Sequence, residues 1–140
     1  MAVKIAETLR DEGLDVDLKK VEDTHVDDLP AYDGLIFGSP TYYGNIAWPL
    51  KKLLDESIKY HRKMQGKVGG AFSSAANIGG GNETTILAIL NALLIHGMII
   101  QGDSRGDHYG PVSIGRPDER AVKECEKYAR TMAGLIKKIF

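Results

Sequence analysis

Ala2, Ile5, Ala6 and Leu9 recur three and four positions apart, with Lys4, Glu7, Arg10 and Asp11 between them. That period predicts a helix over residues 2–12 with one apolar face, closed by Gly13. The next segment alternates: Leu14, Val16 and Leu18 stand against charged neighbours, as in a strand with one wetter face. Residues 23–33 are polar and end in a Pro-containing turn, with Thr24 placed to cap a short helical turn. "GLIFGS", 34–39, is continuous and apolar, the pattern of a strand buried on both faces. Leu50, Leu53, Leu54 and Ile58 then predict a helix whose first turn tolerates Pro49.

"KVGGAFSS", 67–74, is a second buried run, and Gly69 and Gly70 would let a helix or a ligand approach its backbone. The loop "AANIGGGNETT" leads into a helix opened by Asn82 or a nearby glycine and closed by Gly97. "MIIQG" reads as a third short strand, and "PVSI" as a short extended piece inside a long Gly- and Pro-punctuated segment. From about Pro117 to Phe140 a final helix carries Val122, Cys125, Ala129, Met132, Ile136 and Ile139 on one stripe, which puts Cys125 in the core.

Strands alternating with helices imply right-handed βαβ units, a parallel sheet and helices on both faces. Ligands of such sheets bind outside the carboxyl ends of the strands. Three loops are thereby singled out: "SPTYYGN", "SSAANIGGGN" and "QGDSRGDHYG".

Size and charge narrow the field. At 140 residues the chain is expected to form one domain. A net charge of -1 leaves no basic excess for nucleic acid. No apolar run reaches the roughly 20 residues that span a bilayer. The first residues show no signal-peptide pattern, and one Cys cannot make an internal disulfide, so the cytoplasm is the expected location.

The first two loops have the composition of a site for a flat, polar-edged ring. Pro40 and Gly44 shape a tight return, Thr41 and Asn45 supply hydrogen-bonding groups, and Tyr42 and Tyr43 supply aromatic faces. Burying a ring's polar atoms requires partners along its edge. The alternative is a Tyr pair that packs on neighbouring helices. The Gly79–Gly81 run can bring bare amides to an anion or a ring edge, but it is neither a phosphate loop nor a dinucleotide fingerprint. The four histidines lack metal-ligand spacing, so no metal site is expected. Asp103 and Asp107 suit turns. His108 is the one side chain singled out as a candidate to act on a substrate, beside Tyr109.

Taken together, "SPTYYGN", the serine loop running into "GGGNETT", the "HGM" closing the next helix and the downstream "HYGP" resemble the flavodoxin-like FMN proteins. The branch most resembled is that of the tryptophan-repressor-binding-protein-type NAD(P)H:quinone oxidoreductases and related small flavodoxin-like reductases. The resemblance implies a flavodoxin-like three-layer α/β sandwich with a parallel sheet and FMN at the strand carboxyl ends. Ser39, Pro40, Thr41, Tyr42, Tyr43, Gly44 and Asn45 match the stretch that lines the isoalloxazine ring. Ser73, Ser74, Ala75, Ala76 and Asn77, leading into Gly79 and Gly80, match the second ring-side loop. The implied activity is transfer of electrons from NAD(P)H to a quinone or similar acceptor, in a homo-oligomer. Two alternatives stay open: a flavodoxin-type electron carrier, and a flavin-free remnant serving as a binding module.

The sequence departs from the family twice. Where the quinone-reductase branch carries a flavin-side His pair before Gly-Met, this chain reads Ile95-His96. It also starts at the helix that normally follows a first, central strand and its phosphate loop, so that strand and loop are expected to be missing and FMN to be held less tightly. Three arrangements would follow from this: a start that lies upstream of Met1, direct pairing of the two strands that the first strand normally separates, or a second protomer supplying the contacts.

Overall fold

The computed structural model describes all of residues 1–140. Helix α1 (Ala2–Asp11) ends as its pattern predicts, Gly13 following in the left-handed region at φ +85°. The chain then enters strand β1 (Gly34–Tyr42), turns back through β2 (Asn45–Ile46), and continues into helix α2 (Trp48–Glu56). Strand β3 (Val68–Ala75), helix α3 (Asn82–Ile95), the short strands β4 (Ile99–Ile100) and β5 (Val112–Ile114), and helix α4 (Glu119–Ile139) complete it.

The sheet order is β2-β1-β3-β4, with β5 also on β3. All pairings are parallel except the β1–β2 hairpin. β4 pairs the start of β3 at Val68 and Gly69, whereas β5 pairs its end at Ser73 to Ala75. Residues 101–111 loop out between them.

Two apolar cores cover the two faces. On one, Leu50, Leu53 and Leu54 of α2 meet Ile86, Ile89, Leu90 and Leu93 of α3. On the other, Ile5 and Leu9 of α1 meet Cys125, Tyr128, Ala129 and Met132 of α4. Gly69 and Gly70 have the role their positions suggested. A Cβ on Gly70 would stand 2.1 Å from the Tyr128 hydroxyl, which instead accepts the buried Ala71 amide at 2.9 Å. Cys125 is fully buried, and burial pushes its thiol up to about 11. Asp118 caps α4, its carboxylate accepting from the Ala121 amide at 2.8 Å.

Four expectations fail. Residues 14–20 form no ladder: the Val16 carbonyl accepts from the Arg10 guanidinium at 2.7 Å, and the Asp17 carboxylate from the Tyr32 hydroxyl at 2.6 Å. The alternation marked the correct face for Leu14 and Val16, which pack on the α1–α4 core, but not for Leu18, which is exposed. This also overturns direct pairing of that segment with β1. Second, β1 is not buried on both faces, only Leu35 and Ser39 being fully covered, because along Gly34–Pro40 it has a strand on one side only. Third, Thr24 caps nothing ahead of it; its hydroxyl donates back to the Lys20 carbonyl at 2.8 Å. Fourth, α2 stops at Glu56 and tightens into a 3₁₀ turn, Ser57–Tyr60, which rotates Ile58 out to solvent.

Candidate functional site

The Tyr-Tyr stretch is a hairpin. Thr41 faces Ile46 and Tyr42 faces Asn45 across β1 and β2, so Tyr43 and Gly44 form a two-residue connection. Both have positive φ, +47° and +74°. That is the backbone such a tight turn demands, and Asn-Gly or Gly-Gly is its usual occupant. A bulky residue there is strained. The Tyr43 side chain is fully exposed, so no packing within the chain compensates. Tyr42 is also exposed, and the two rings do not pack on helices as the structural alternative required. Beneath them, Ser39 is buried and its hydroxyl accepts the Ala47 amide at 2.9 Å, fixing the return of the hairpin. The Asn45 side chain caps its own turn by accepting from the Ile46 amide.

The second loop is clasped to the first. A Cβ on Gly81, at φ +102°, would stand 2.7 Å from Gly44 Cα. The Thr84 hydroxyl donates to the Gly44 carbonyl at 2.7 Å, and the Thr41 and Thr85 hydroxyls lie 2.9 Å apart. Ser73 is fully buried and donates to the Asn82 carbonyl, while the Asn82 amide group reaches the Ser113 carbonyl. Ser39, Thr41 and Ser73 thus spend their side chains on holding the loops, and Ala75 is buried under them. Ala76, Asn77 and Gly79 are exposed and Gly80 is partly covered. In residues 76–81 only the Gly80 amide has a hydrogen-bond partner in the chain, the Asn77 carbonyl. The loop therefore presents a row of free N–H donors beside two exposed aromatic rings. Thr84 and Thr85 had not been singled out; their signal was two hydroxyls in the first turn of a helix opened by three glycines.

Next to the hairpin a groove of about 320 Å³ runs between Gly38, Ser39 and Pro40 of β1, Phe72 and Ser74 of β3, Ser113 and Gly115, and the start of α1 at Met1 and Ala2. None of its lining side chains is charged. At its α1 end lie the first-turn amides of a helix that has no side-chain cap, groups that favour a negatively charged partner.

The third loop makes no hydrogen bond to the first two. His108 Nδ1 lies 2.7 Å from the Asp103 carbonyl oxygen, and no hydrogen bond links it to the other two loops. Asp103 accepts the Arg105 amide and Asp107 the Val112 amide, the turn chemistry expected of them. Lys127 beside Asp103 holds that carboxyl below the usual range. His96 lies at the other end of α3, about 20 Å of helix from Asn82. It is buried on Ser57, with Nε2 2.8 Å from the hydroxyl, and belongs to the core rather than to a flavin-side pair.

The donor set fits a flavin ring: aromatic faces, a row of free amides, and a groove leading from them to a helix N-terminus. The pattern that defines the family described as NADPH-dependent FMN reductase matches residues 12–106. The chain belongs to that family. It is 38% identical over 117 residues to a flavodoxin of Clostridium saccharobutylicum, covering 80% of this chain and 72% of that protein. To an NAD(P)H dehydrogenase (quinone) of Archaeoglobus fulgidus it is 33% identical over 132 residues, covering 88% and 69%. Among solved structures, the flavodoxin, WrbA-like protein from Agrobacterium tumefaciens superposes with a TM-score of 0.76 at 24% identity, covering 99% of this chain and 91% of that one. A flavodoxin from the domain Archaea gives 0.77 at 23%, covering 96% and 87%. The flavodoxin-like fold of this FMN reductase family member is thus shown, and no helix is long and apolar enough to cross a membrane.

Proposed function

We propose that this chain is an FMN-dependent oxidoreductase that takes electrons from NAD(P)H and delivers them to a quinone or similar acceptor. The observation that carries the reading is Tyr43: a fully exposed aromatic held at φ +47°, clasped against a glycine loop whose amides, Gly80 apart, have no partner in the chain. Bound FMN would supply the hydride and electron chemistry. Tyr42 and Tyr43 would cover the ring face, and the amides of residues 76–79 would donate to its polar edge. Ser39, Thr41 and Ser73 hold the two loops at a fixed separation from beneath, and Pro40, Gly44, Asn45 and Gly80 shape them. Ser74 and Ser113, with the first-turn amides of α1, would meet the polar tail. His108 bonds the Asp103 carbonyl within its own loop, and the flavin chemistry proposed here needs no side-chain acid or base from it.

A second reading, a flavodoxin-type electron carrier, is favoured by the names of the flavodoxin relatives. The near-neutral charge of -1 offers little long-range steering toward basic partners. Oxidation of NADPH or NADH by the FMN-loaded chain, with and without a quinone, separates the two. Quinone-dependent turnover supports the enzyme. A chain that binds FMN and accepts electrons only from a protein donor leaves the carrier, and one that folds without ever binding flavin leaves a binding module.

A further inference from the structure

A second cleft, of about 380 Å³, lies between the turn that leaves β4 and one stripe of α4. Gln101, Gly102, Asp103, Ser104 and Arg105 line it from the turn, and Lys127, Arg130 and Thr131 from the helix. No lining residue is apolar, so an uncharged hydrocarbon ligand has nothing to gain there. The turn is fixed in place. The Asp103 amide donates to the His108 carbonyl at 3.0 Å, His108 Nδ1 lies 2.7 Å from the Asp103 carbonyl oxygen, and the Asp103 carboxylate accepts the Arg105 amide at 2.8 Å. Lys127 ties the turn to α4 through the Asp103 carboxylate and through the Arg105 carbonyl at 3.3 Å.

Asp103 and Lys127 satisfy each other, so the charge left over in the lining is that of two arginines. Arg105 has no ion-pair partner in the chain, and Arg130 meets Glu12 and Glu126 only at 3.9 Å. The Gly102 and Ser104 amides and the Ser104 hydroxyl make no hydrogen bond in the chain. Glu124, the remaining acid close by, lies against Gly106 and 3.9 Å from Lys127, outside the lining. We propose that this cleft binds a phosphate group, either free inorganic phosphate or the ribose phosphate that distinguishes NADPH from NADH. A guanidinium presents paired N–H donors that match phosphate oxygens, and it keeps its charge at any working pH. Two guanidinium groups, a hydroxyl and two free amides, carried by a turn held rigid, can serve the several oxygens of one phosphate; a carboxylate has only two. The cleft shares no lining residue with the groove beside the hairpin, and the inference does not rest on flavin binding.

Amide chemical shifts of the isotope-labelled full chain, titrated with inorganic phosphate in place of chloride at constant ionic strength, test it without flavin. The expected result is saturable movement of the Gly102, Ser104 and Arg105 amides. Arg105→Gln and Arg130→Gln should each weaken binding about fivefold to tenfold, the loss of a charge-assisted contact in a partly exposed site. Both side chains are exposed, so the fold should survive either change. Arg105→Lys should recover only part of the affinity, because it restores the charge but not the fork. Lys63→Gln, which removes an exposed cation in the loop before β3, should change nothing. NADP+ and NAD+ separate the two sources. Movement of the same amides by NADP+ at lower concentration than by phosphate, and not by NAD+, assigns the group to a nucleotide; phosphate binding as tight as that of NADP+ assigns it to the free anion. No saturable shift in the Gly102–Arg105 turn with any of these ligands overturns the inference. So does binding indifferent to both arginine substitutions, or movement confined to the first turn of α1.

Discussion

Replacing Tyr43 by Asn should move stability and flavin affinity in opposite directions. The residue is held at φ +47° in a turn whose connection also uses Gly44 at +74°. An L residue in the left-handed region costs roughly 1–2 kcal/mol, and Asn is several-fold enriched there relative to other side chains, which corresponds to about 1 kcal/mol. Tyr43 buries no surface in the chain, so its removal forfeits no packing to offset that gain. Tyr43→Asn should therefore stabilise the flavin-free chain by about 0.5–1 kcal/mol. Urea unfolding resolves a difference of this size as a shift in midpoint at constant slope. The same change removes an aromatic face from the proposed ring site. An aromatic stacking contact is worth about 0.5–1.5 kcal/mol beyond burial, so FMN affinity should fall roughly 2- to 10-fold. A variant that is less stable would show that the turn is not strained by Tyr43. One that is more stable with unchanged FMN affinity would show that the strain has nothing to do with flavin.

Three further outcomes follow from the same structure. Gly81→Ala should destabilise more than Gly79→Ala: both have positive φ, but only Gly81 lies against Gly44, and the excess should be about 1–2 kcal/mol in urea unfolding. Equal effects would mean the two loops are not clasped. Tyr128→Phe leaves the buried Ala71 amide without its acceptor and should cost about 1–3 kcal/mol of thermal or urea stability; a neutral change would show that the hydroxyl is not needed there. His96 titrates below the ordinary histidine value because burial, and then nearby His61, disfavour its cation. The unfolded chain takes up this proton first as pH falls, so the contribution is complete above about pH 6.5 and is lost on going below it toward the depressed folded value. His96→Gln should flatten the loss of urea stability between pH 7 and 5, and an unchanged pH profile would contradict the assignment.

The parts legible in the sequence were those fixed by side-chain burial. The stripes of α1 and α4 and the run of β3 each announced a face to be covered, and Gly69 and Gly70 announced a close approach. Residues 14–20 show the limit: alternation reported which way Leu14 and Val16 point, but a ladder also needs a neighbouring backbone, which no side-chain pattern encodes. Ile58 kept helical spacing, yet tightening of the backbone after Glu56 turned it outward. At the site, the two loops were found because strand ends in a parallel sheet converge, whereas the clasp through Thr84 and Thr85 depends on a separation of some forty residues that spacing cannot reveal. His108 was chosen by its loop; the loop leaves the sheet between β4 and β5 and turns back on Asp103.

On this reading the Tyr42–Tyr43 hairpin and the Asn77–Gly81 loop form a flavin platform. Titrating FMN into the 140-residue chain, followed by flavin fluorescence and visible absorbance, tests it most directly, with Tyr43→Asn and Gly81→Ala alongside. The expected result is saturable binding with a perturbed isoalloxazine spectrum, weakened in both variants. Absence of saturable binding by a chain that is folded, or binding untouched by either substitution, would contradict it.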